Sequence, residues 1–311
     1  MTDLAILVGG RGKRLGKLTK NTPKPLIQIK NKKFLDILLS KIIKYNFKRI
    51  FLICSYKKEK FFNIYHKKKI HNSKIICINE GLAKDTGGGL YKIKKFIKGN
   101  FFLINGDSFF DINLNLLSNF ISDKKWIGCM AIANNKGYEK NDKMNNLLIN
   151  KKNYIEYSKY KTNFMNGGVY FFKKNIFKFI KNKKISLEKD ILNELILKKR
   201  IKGIYSPQYF IDMGTTQKLK SLKNNLDNLK EKVAFLDRDG VINKLKPYGY
   251  IENFKQFYFL PGVVKGIKFL NKQNYRVIVI TNQACVGKGI INEKKLNNIH
   301  MKMTNNLKKI N

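Results

Sequence analysis

A chain of 311 residues, 43% of them hydrophobic, is long enough for about two domains with substantial cores, and its composition excludes a disordered chain. No apolar run nears the ~20 residues of a membrane span, and the first residues carry no basic stretch ahead of their apolar run, so a signal peptide is not expected and the cytoplasm is. The formal net charge of +43, from 64 basic and 21 acidic residues, comes from lysines spread along the whole chain among Asn and Ile. Without a basic arm, zinc finger or RNP motif, that charge reads as a compositional bias rather than nucleic-acid binding, although it attracts phosphorylated substrates.

In chain order, residues 4–8 form a short apolar run ending in Gly9-Gly10, which predicts a buried parallel strand entering a glycine loop. Helical spacing follows over 34–46. Further strands are predicted at 49–54, 74–78 and 101–104, the last ending in Asn105-Gly106-Asp107. Strands alternating with helices imply an open α/β sheet, with ligands at the carboxyl ends of its strands. A lysine- and asparagine-rich stretch, 216–231, reads as a closing helix plus linker. Apolar runs then restart at 233–236, ending in Asp237, and at 277–280, ending in Thr281, as if a second domain began there. The expected domains are 1–228 and 232–311. Cys54, Cys77, Cys129 and Cys285 show no CxxC pairing and are expected as reduced, buried thiols. His66, His71 and His300 fall in no motif.

Residues 9–25 carry the most specific pattern, GGRGKRLGKLTKNTPKP. Gly9, Gly10 and Gly12 let backbone N–H groups approach a phosphate chain. Arg14 offers a two-pronged clamp for phosphate oxygens, and Lys24 is a point charge stiffened between two prolines. No Ser or Thr follows Lys13, so this is not a Walker A loop.

The pattern resembles the sugar-phosphate nucleotidyltransferase family over about residues 1–228. That resemblance implies a Rossmann-like, glycosyltransferase-A-like α/β fold and a glycine loop that holds a nucleoside triphosphate. It implies that Arg14 and Lys24 stabilise the pentavalent phosphorus. The stretch from Glu80 through Thr86, Gly87 and Gly88 looks like the family's base-recognition loop. Asn105-Gly106-Asp107 and Phe210-Ile-Asp212 look like its two metal sites, which would hold Mg²⁺, an ion that prefers oxygen ligands. Taken singly, Asp107 also suits a turn and Asp212 a helix N-cap. Asn166-Gly167 looks like the sugar loop, Lys159 is expected at the sugar phosphate, and Glu188 and Asp190 lie in a further similar segment. In-line attack on the α-phosphorus then needs no covalent intermediate.

Residues 235–243, FLDRDGVIN, place Asp237 and Asp239 after a predicted strand, and Thr281-Asn282-Gln283 follows another. A nucleophilic carboxylate, a second carboxylate to protonate the leaving oxygen, and a hydroxyl for the phosphoryl group suit covalent phosphoryl transfer. This resembles the haloacid dehalogenase (HAD) superfamily, most closely its heptose bisphosphate and histidinol phosphatases. The resemblance implies metal at Asp237 and Asp239 and phosphate binding by Thr281 and Asn282. Cys285 stands where glycine is expected. The superfamily's later lysine and metal aspartate do not appear by Asn311. The expectation is therefore an incomplete Rossmann-like HAD domain with negligible phosphatase turnover that folds poorly by itself.

The combined reading is a bifunctional enzyme of nucleotide-activated heptose synthesis, with GTP and D-glycero-D-manno-heptose 1-phosphate as expected substrates. Its alternatives are a mannose 1-phosphate guanylyltransferase, a histidinol-phosphatase-like enzyme, and a basic nucleic-acid-binding or scaffold protein. Neither nucleic acid nor membrane is an expected partner; the oligomeric state is open, a homo-oligomer included.

Overall fold

The computed structural model describes residues 2–81, 85–119, 125–134, 146–226, 232–273 and 275–310. Contacts divide the chain into two units, Met1–Leu229 and Lys230–Asn311.

In the first unit, β1 (Asp3–Leu7), β2 (Arg49–Cys54), β3 (Ser73–Asn79) and β4 (Phe101–Asn105) run parallel in the order β4-β1-β2-β3. Helices α1 (Phe34–Ile42), α2 (Lys58–Tyr65) and α3 (Asp85–Tyr91) fall between them in sequence. Helices on both faces require strands that are apolar at every position. Leu4, Ile6, Leu52 and Ile104 accordingly enter one core, with Phe34, Leu35 and Leu38 of α1. Ala5, Phe51, Ile53 and Leu103 enter a second core on the other face, with Leu90 of α3. Arg49 ties β2 to β1 through paired hydrogen bonds to the Asp3 carboxylate at 2.9 and 2.6 Å.

Beyond β4 the chain forms β5 (Ser108–Phe110), β6 (Gly128–Asn134), the antiparallel pair β7 (Leu147–Ile149) and β8 (Ile155–Tyr157), then β9 (Phe164–Phe172) and β10 (Ile201–Tyr205). β9 is antiparallel to both β4 and β6, and β10 is parallel to β6. β6 and β10 therefore point the same way as β1. A separate two-stranded ribbon pairs β5 with β11 (Phe210–Asp212) antiparallel, ahead of α4 (Thr216–Asn225).

The predicted helix over 34–46 is α1 plus a 3-10 turn, Ile43–Tyr45, closed by Asn46 in the left-handed region at φ 50°. The third strand is longer than expected, starting at Ser73. The 216–231 stretch is helical as far as Asn225, and its end at 227–231 lies outside the described residues. All four cysteines are free and buried, as expected.

The second unit contains one parallel pair, β12 (Lys232–Leu236) with β13 (Tyr275–Val279), and helices α5 (Val263–Lys272) and α6 (Glu293–Ile310). Its core is small: Ile242, Ile251, Phe257, Cys285, Ile291, Ile299 and Met303. Phe235 and Ile280 are 63% and 59% exposed.

Gly106 closes β4 against the end of β1. A Cβ there would sit 2.6 Å from the Leu7 carbonyl oxygen and 2.7 Å from Val8 Cγ1. Gly106→Ala should therefore destabilise the first unit by about 1–3 kcal/mol through overpacking, read as a lower denaturant midpoint; an unchanged midpoint would contradict this packing.

Candidate active site

The carboxyl ends of β1, β2, β3 and β4 open into a cavity of about 850 Å³. Its walls include residues 7–14 after β1, Ser55 to Lys57 after β2, Glu80 after β3, and Asn105 and Asp107 at the end of β4. Lys24, Thr86, Glu188 and Gly214 complete the lining residues that matter here.

The glycine loop is shaped by close approach. A Cβ on Gly9 would lie 2.9 Å from Ser55 Cβ and 3.2 Å from Glu80 Oε2. Gly12 sits at φ 63°, in the left-handed region that favours glycine, with Lys24 Cβ 3.1 Å from where its own Cβ would be. The Thr19 hydroxyl donates to the Gly12 carbonyl at 3.0 Å and fixes the loop's return. Lys24 starts the 3-10 turn Lys24–Leu26, between Pro23 and Pro25, and is only 5% exposed. Its Nζ donates to Asp107 Oδ2 at 2.6 Å.

Asp107 and Asp212 are brought together by the β5–β11 ribbon, in which Ser108 faces Asp212 and the Met213 amide donates to the Asp107 carbonyl at 2.9 Å. Asp212 accepts from the Gly214 amide at 2.6 Å and from Lys218 Nζ at 2.8 Å. It is not the N-cap of α4, a task done by Thr215, whose hydroxyl accepts from the Lys218 amide. A Cβ on Gly214 would overlap Asp212 Oδ1 and lie 3.2 Å from an Arg14 Nη, so Gly214 admits the Arg14 guanidinium beside this turn. Asp107, Arg14 and Gly214 line the cavity; Asp212 is not among its lining residues. Among the described residues no group of three or more His, Cys, Asp or Glu side chains is placed to hold a metal ion.

Glu80 is 7% exposed. Burial pushes its carboxyl pKa up, the Asp85 charge adds to the rise, and the hydrogen bond with Ser55 opposes it. Thr86 donates to Glu188 Oε2 at 2.7 Å and accepts from the Leu187 amide at 2.9 Å, joining α3 to the segment that carries Glu188. Gly87 and Gly88 are placed differently from the expectation. Their amides donate to the Ile185 carbonyl at 2.9 and 3.2 Å, and a Cβ on Gly87 would lie 2.8 Å from that oxygen. They allow α3 to pack closely and do not line the cavity.

Three residues expected at the sugar also fall outside the cavity lining. Asn166 bonds within its own strand, to the Tyr170 hydroxyl at 2.7 Å and from the Gly168 amide at 2.9 Å. Gly167 packs against the Phe110 ring, and Lys159 is exposed after β8. Asp190 accepts from the Ser186 amide at 2.7 Å. Residues 55–57 and Arg11 line the cavity without having been singled out from the sequence. They follow predicted strands, and the rule that ligands gather at strand carboxyl ends would have found them.

In the second unit, Asp237 and Thr281 follow adjacent parallel strands, and Gln283 Nε2 donates to both Thr281 Oγ1 (2.8 Å) and Asp239 Oδ2 (2.6 Å). Asp237 and Asn282 are exposed. Arg238 is buried and holds Asp239 through three hydrogen bonds of 2.7–3.1 Å. Burial opposes the Asp239 charge, but hydrogen bonds from Asn243, Arg238 and Gln283 outweigh it and hold the pKa below the usual carboxylate range. The Asp239 carboxylate, expected as a proton donor, accepts hydrogen bonds from Arg238, Asn243 and Gln283 in this structure.

An open α/β sheet with a basic, glycine-walled cavity and carboxylates at its strand ends defines a nucleotide-handling enzyme. The pattern of the family described as "Nucleotidyl transferase" matches residues 5–228, and the chain belongs to that family. A D-glycero-alpha-D-manno-heptose 1-phosphate guanylyltransferase of Campylobacter jejuni is 32% identical over 217 residues, 68% of this chain and 94% of that protein. A protein of the same name from Aneurinibacillus thermoaerophilus is 30% identical, over 73% of this chain and 99% of its own length. The crystal structure of HddC from Yersinia pseudotuberculosis complexed with GMP-PN is 27% identical with a TM-score of 0.58, covering 73% of this chain and all of that one. The first unit is thus a nucleotidyltransferase with a mixed α/β, Rossmann-like fold.

Two outcomes follow from this geometry. Asp107→Ala should lower turnover by orders of magnitude with an unchanged circular-dichroism spectrum, and near-normal turnover would remove Asp107 from the site. Because the folded state raises the Glu80 pKa, it holds that proton more tightly than the unfolded chain does, and stability is lost as pH rises through the raised value. Glu80→Gln removes that loss. Its Tm should exceed that of the parent at pH 8, with the gap narrowing toward pH 4; a gap independent of pH would contradict the buried placement of the carboxyl.

Proposed function

We propose that the first unit transfers a guanylyl group from GTP to D-glycero-D-manno-heptose 1-phosphate, releasing pyrophosphate and forming GDP-heptose. The observation that carries this reading is the Lys24–Asp107 pair, 2.6 Å apart on the wall of the cavity shared with the glycine loop. The two guanylyltransferase relatives and the GMP-PN complex support guanine as the base and a heptose as the sugar.

In this reading the amides of residues 9–12 and the Arg14 guanidinium bind the triphosphate, and Thr86 and Glu80 face the base side. Lys24 and Arg14 offset charge as the sugar phosphate attacks the α-phosphorus in line. Mg²⁺ fits the oxygen donors Asp107 and Asp212, since that ion is commonly bound by one or two carboxylates with substrate phosphates completing its shell, and it would supply further charge neutralisation. The cytoplasm, source of the nucleoside triphosphate, is the proposed location. Sugar-phosphate contacts by Lys159, Asn166 and Gly167 would require a rearrangement on binding.

We read the second unit as part of a HAD-type domain resembling a heptose bisphosphate phosphatase. The adjacent parallel strand ends bearing Asp237 and Thr281 support that reading. With the Asp239 carboxylate already engaged by Arg238, Asn243 and Gln283, phosphate release from heptose 1,7-bisphosphate with Mg²⁺ should be negligible. A robust rate abolished by Asp237→Asn would overturn this.

The test of the transferase is pyrophosphate release across the nucleoside triphosphates, paired with heptose, mannose and glucose 1-phosphates. GTP with heptose 1-phosphate should give the highest kcat/KM. Faster turnover with mannose 1-phosphate would reassign the sugar, and a preference for another triphosphate would reassign the base. With the preferred pair, Lys24→Ala should lower kcat more than it weakens substrate affinity; a rise in KM alone would assign Lys24 to ground-state binding.

A further inference from the structure

Of the 64 basic residues only six are arginines: Arg11, Arg14, Arg49, Arg200, Arg238 and Arg276. In a chain so biased toward lysine, an arginine marks a place where a planar, multi-donor cation does something an ammonium does not. Arg11 and Arg14 line the catalytic cavity. Arg49 and Arg238 each grip a carboxylate with more than one hydrogen bond. Arg200 has no such partner. No ion pair among the described residues involves it, and its Nε is buried without a hydrogen bond. A buried donor on a charged group left unmet is costly.

Arg200 lines a second cavity, of about 400 Å³, with Asn175, Lys178, Lys181 and Glu194 among its other walls. Glu194 is engaged at 2.6 Å by Lys198. Lys178 and Lys181, like Arg200, have no acidic partner among the described residues. Three cations therefore share one concave space with one carboxylate that is already neutralised. The cavity shares no lining residue with the catalytic one. Its walls include Ile127 and Arg200, the residues just before β6 and β10, and the Ile127 amide donates to the Arg200 carbonyl at 2.8 Å. Since β6 and β10 run parallel to β1, this cavity lies at the amino-terminal edge of the sheet, opposite the catalytic edge.

We propose that this cavity is a binding site for a small phosphorylated anion, gripped by the Arg200 fork and screened by Lys178 and Lys181. Phosphate matches the fork geometry of the Arg200 guanidinium, whose residue lines the cavity. The volume lies within the range of small-molecule sites and accommodates a sugar phosphate or a diphosphate.

The experiment is calorimetric titration of the full chain with inorganic pyrophosphate, which also binds the catalytic cavity as product. The parent should show two classes of site. Arg14→Ala/Lys24→Ala should remove one class, and Arg200→Leu the other, while leaving nucleotidyl transfer at its basal rate. Lys178→Ala/Lys181→Ala, a change of two exposed residues that leaves the core intact, should weaken the second class tenfold or more. If Arg200→Leu fails to fold, this double variant decides. Loss of all binding in Arg14→Ala/Lys24→Ala, or an unchanged isotherm in Lys178→Ala/Lys181→Ala, would overturn the proposal. An unchanged isotherm in folded Arg200→Leu would overturn it equally.

Discussion

One short ion pair organises the catalytic end of the sheet. Lys24 arrives from the proline-flanked turn after the glycine loop, and Asp107 arrives from the end of β4. Their contact at 2.6 Å spans 83 residues of sequence. Lys24 is nearly buried, whereas the Asp107 side chain keeps 44% of its exposure. The lysine is therefore held by the protein, and the carboxylate still presents an oxygen to the cavity. A lysine moved off that line would leave a nearly buried cation unpaired, at considerable cost. Gly12, Thr19 and the flanking prolines restrict where it can go.

The same logic repeats one strand away. Asp212 is held by Lys218 and the Gly214 amide, and the β5–β11 ribbon sets its spacing from Asp107. Each carboxylate thus has its own cation, and the remaining basic groups of the cavity, Arg11, Lys13, Arg14 and Lys57, favour a polyanionic ligand. The overall charge of +43 adds a long-range pull on such ligands, screened beyond about 8–10 Å at physiological salt. What distinguishes the cavity from the rest of a uniformly basic surface is shape and fixed N–H groups, not charge alone.

The parallel core strands and the glycine loop at the cavity were legible because each rests on local rules. A doubly buried strand must be apolar throughout, and a loop that meets phosphate needs glycines. The β5–β11 ribbon was also half visible, as two aspartates after apolar segments, but their pairing depends on residues about a hundred positions apart and has no local signature. Gly87 and Gly88, expected at the nucleotide, have amides that donate to the Ile185 carbonyl and lie outside the cavity lining. A glycine needed for close helix packing against Ile185 looks identical, in sequence, to one needed for a ligand. Lys159 and Asn166 matched by pattern, yet a side chain already satisfied within its own strand, or exposed beyond it, does not reach the cavity. In the second unit, the alternation of Asp237, Arg238 and Asp239 gave no hint that the intervening arginine is the buried one and that it ties up its neighbour. Arg200 drew no notice because it lies in no motif; its meaning comes from the cavity around it.

The central claim is that Lys24 and Asp107 act as one unit. A double-mutant cycle on turnover measures this most directly, using Lys24→Ala, Asp107→Ala and the pair together at saturating substrates. Groups that work as a unit are non-additive, so the double variant should be about as slow as the slower single variant. Losses that simply multiply would contradict the claim and make the two residues independent contributors.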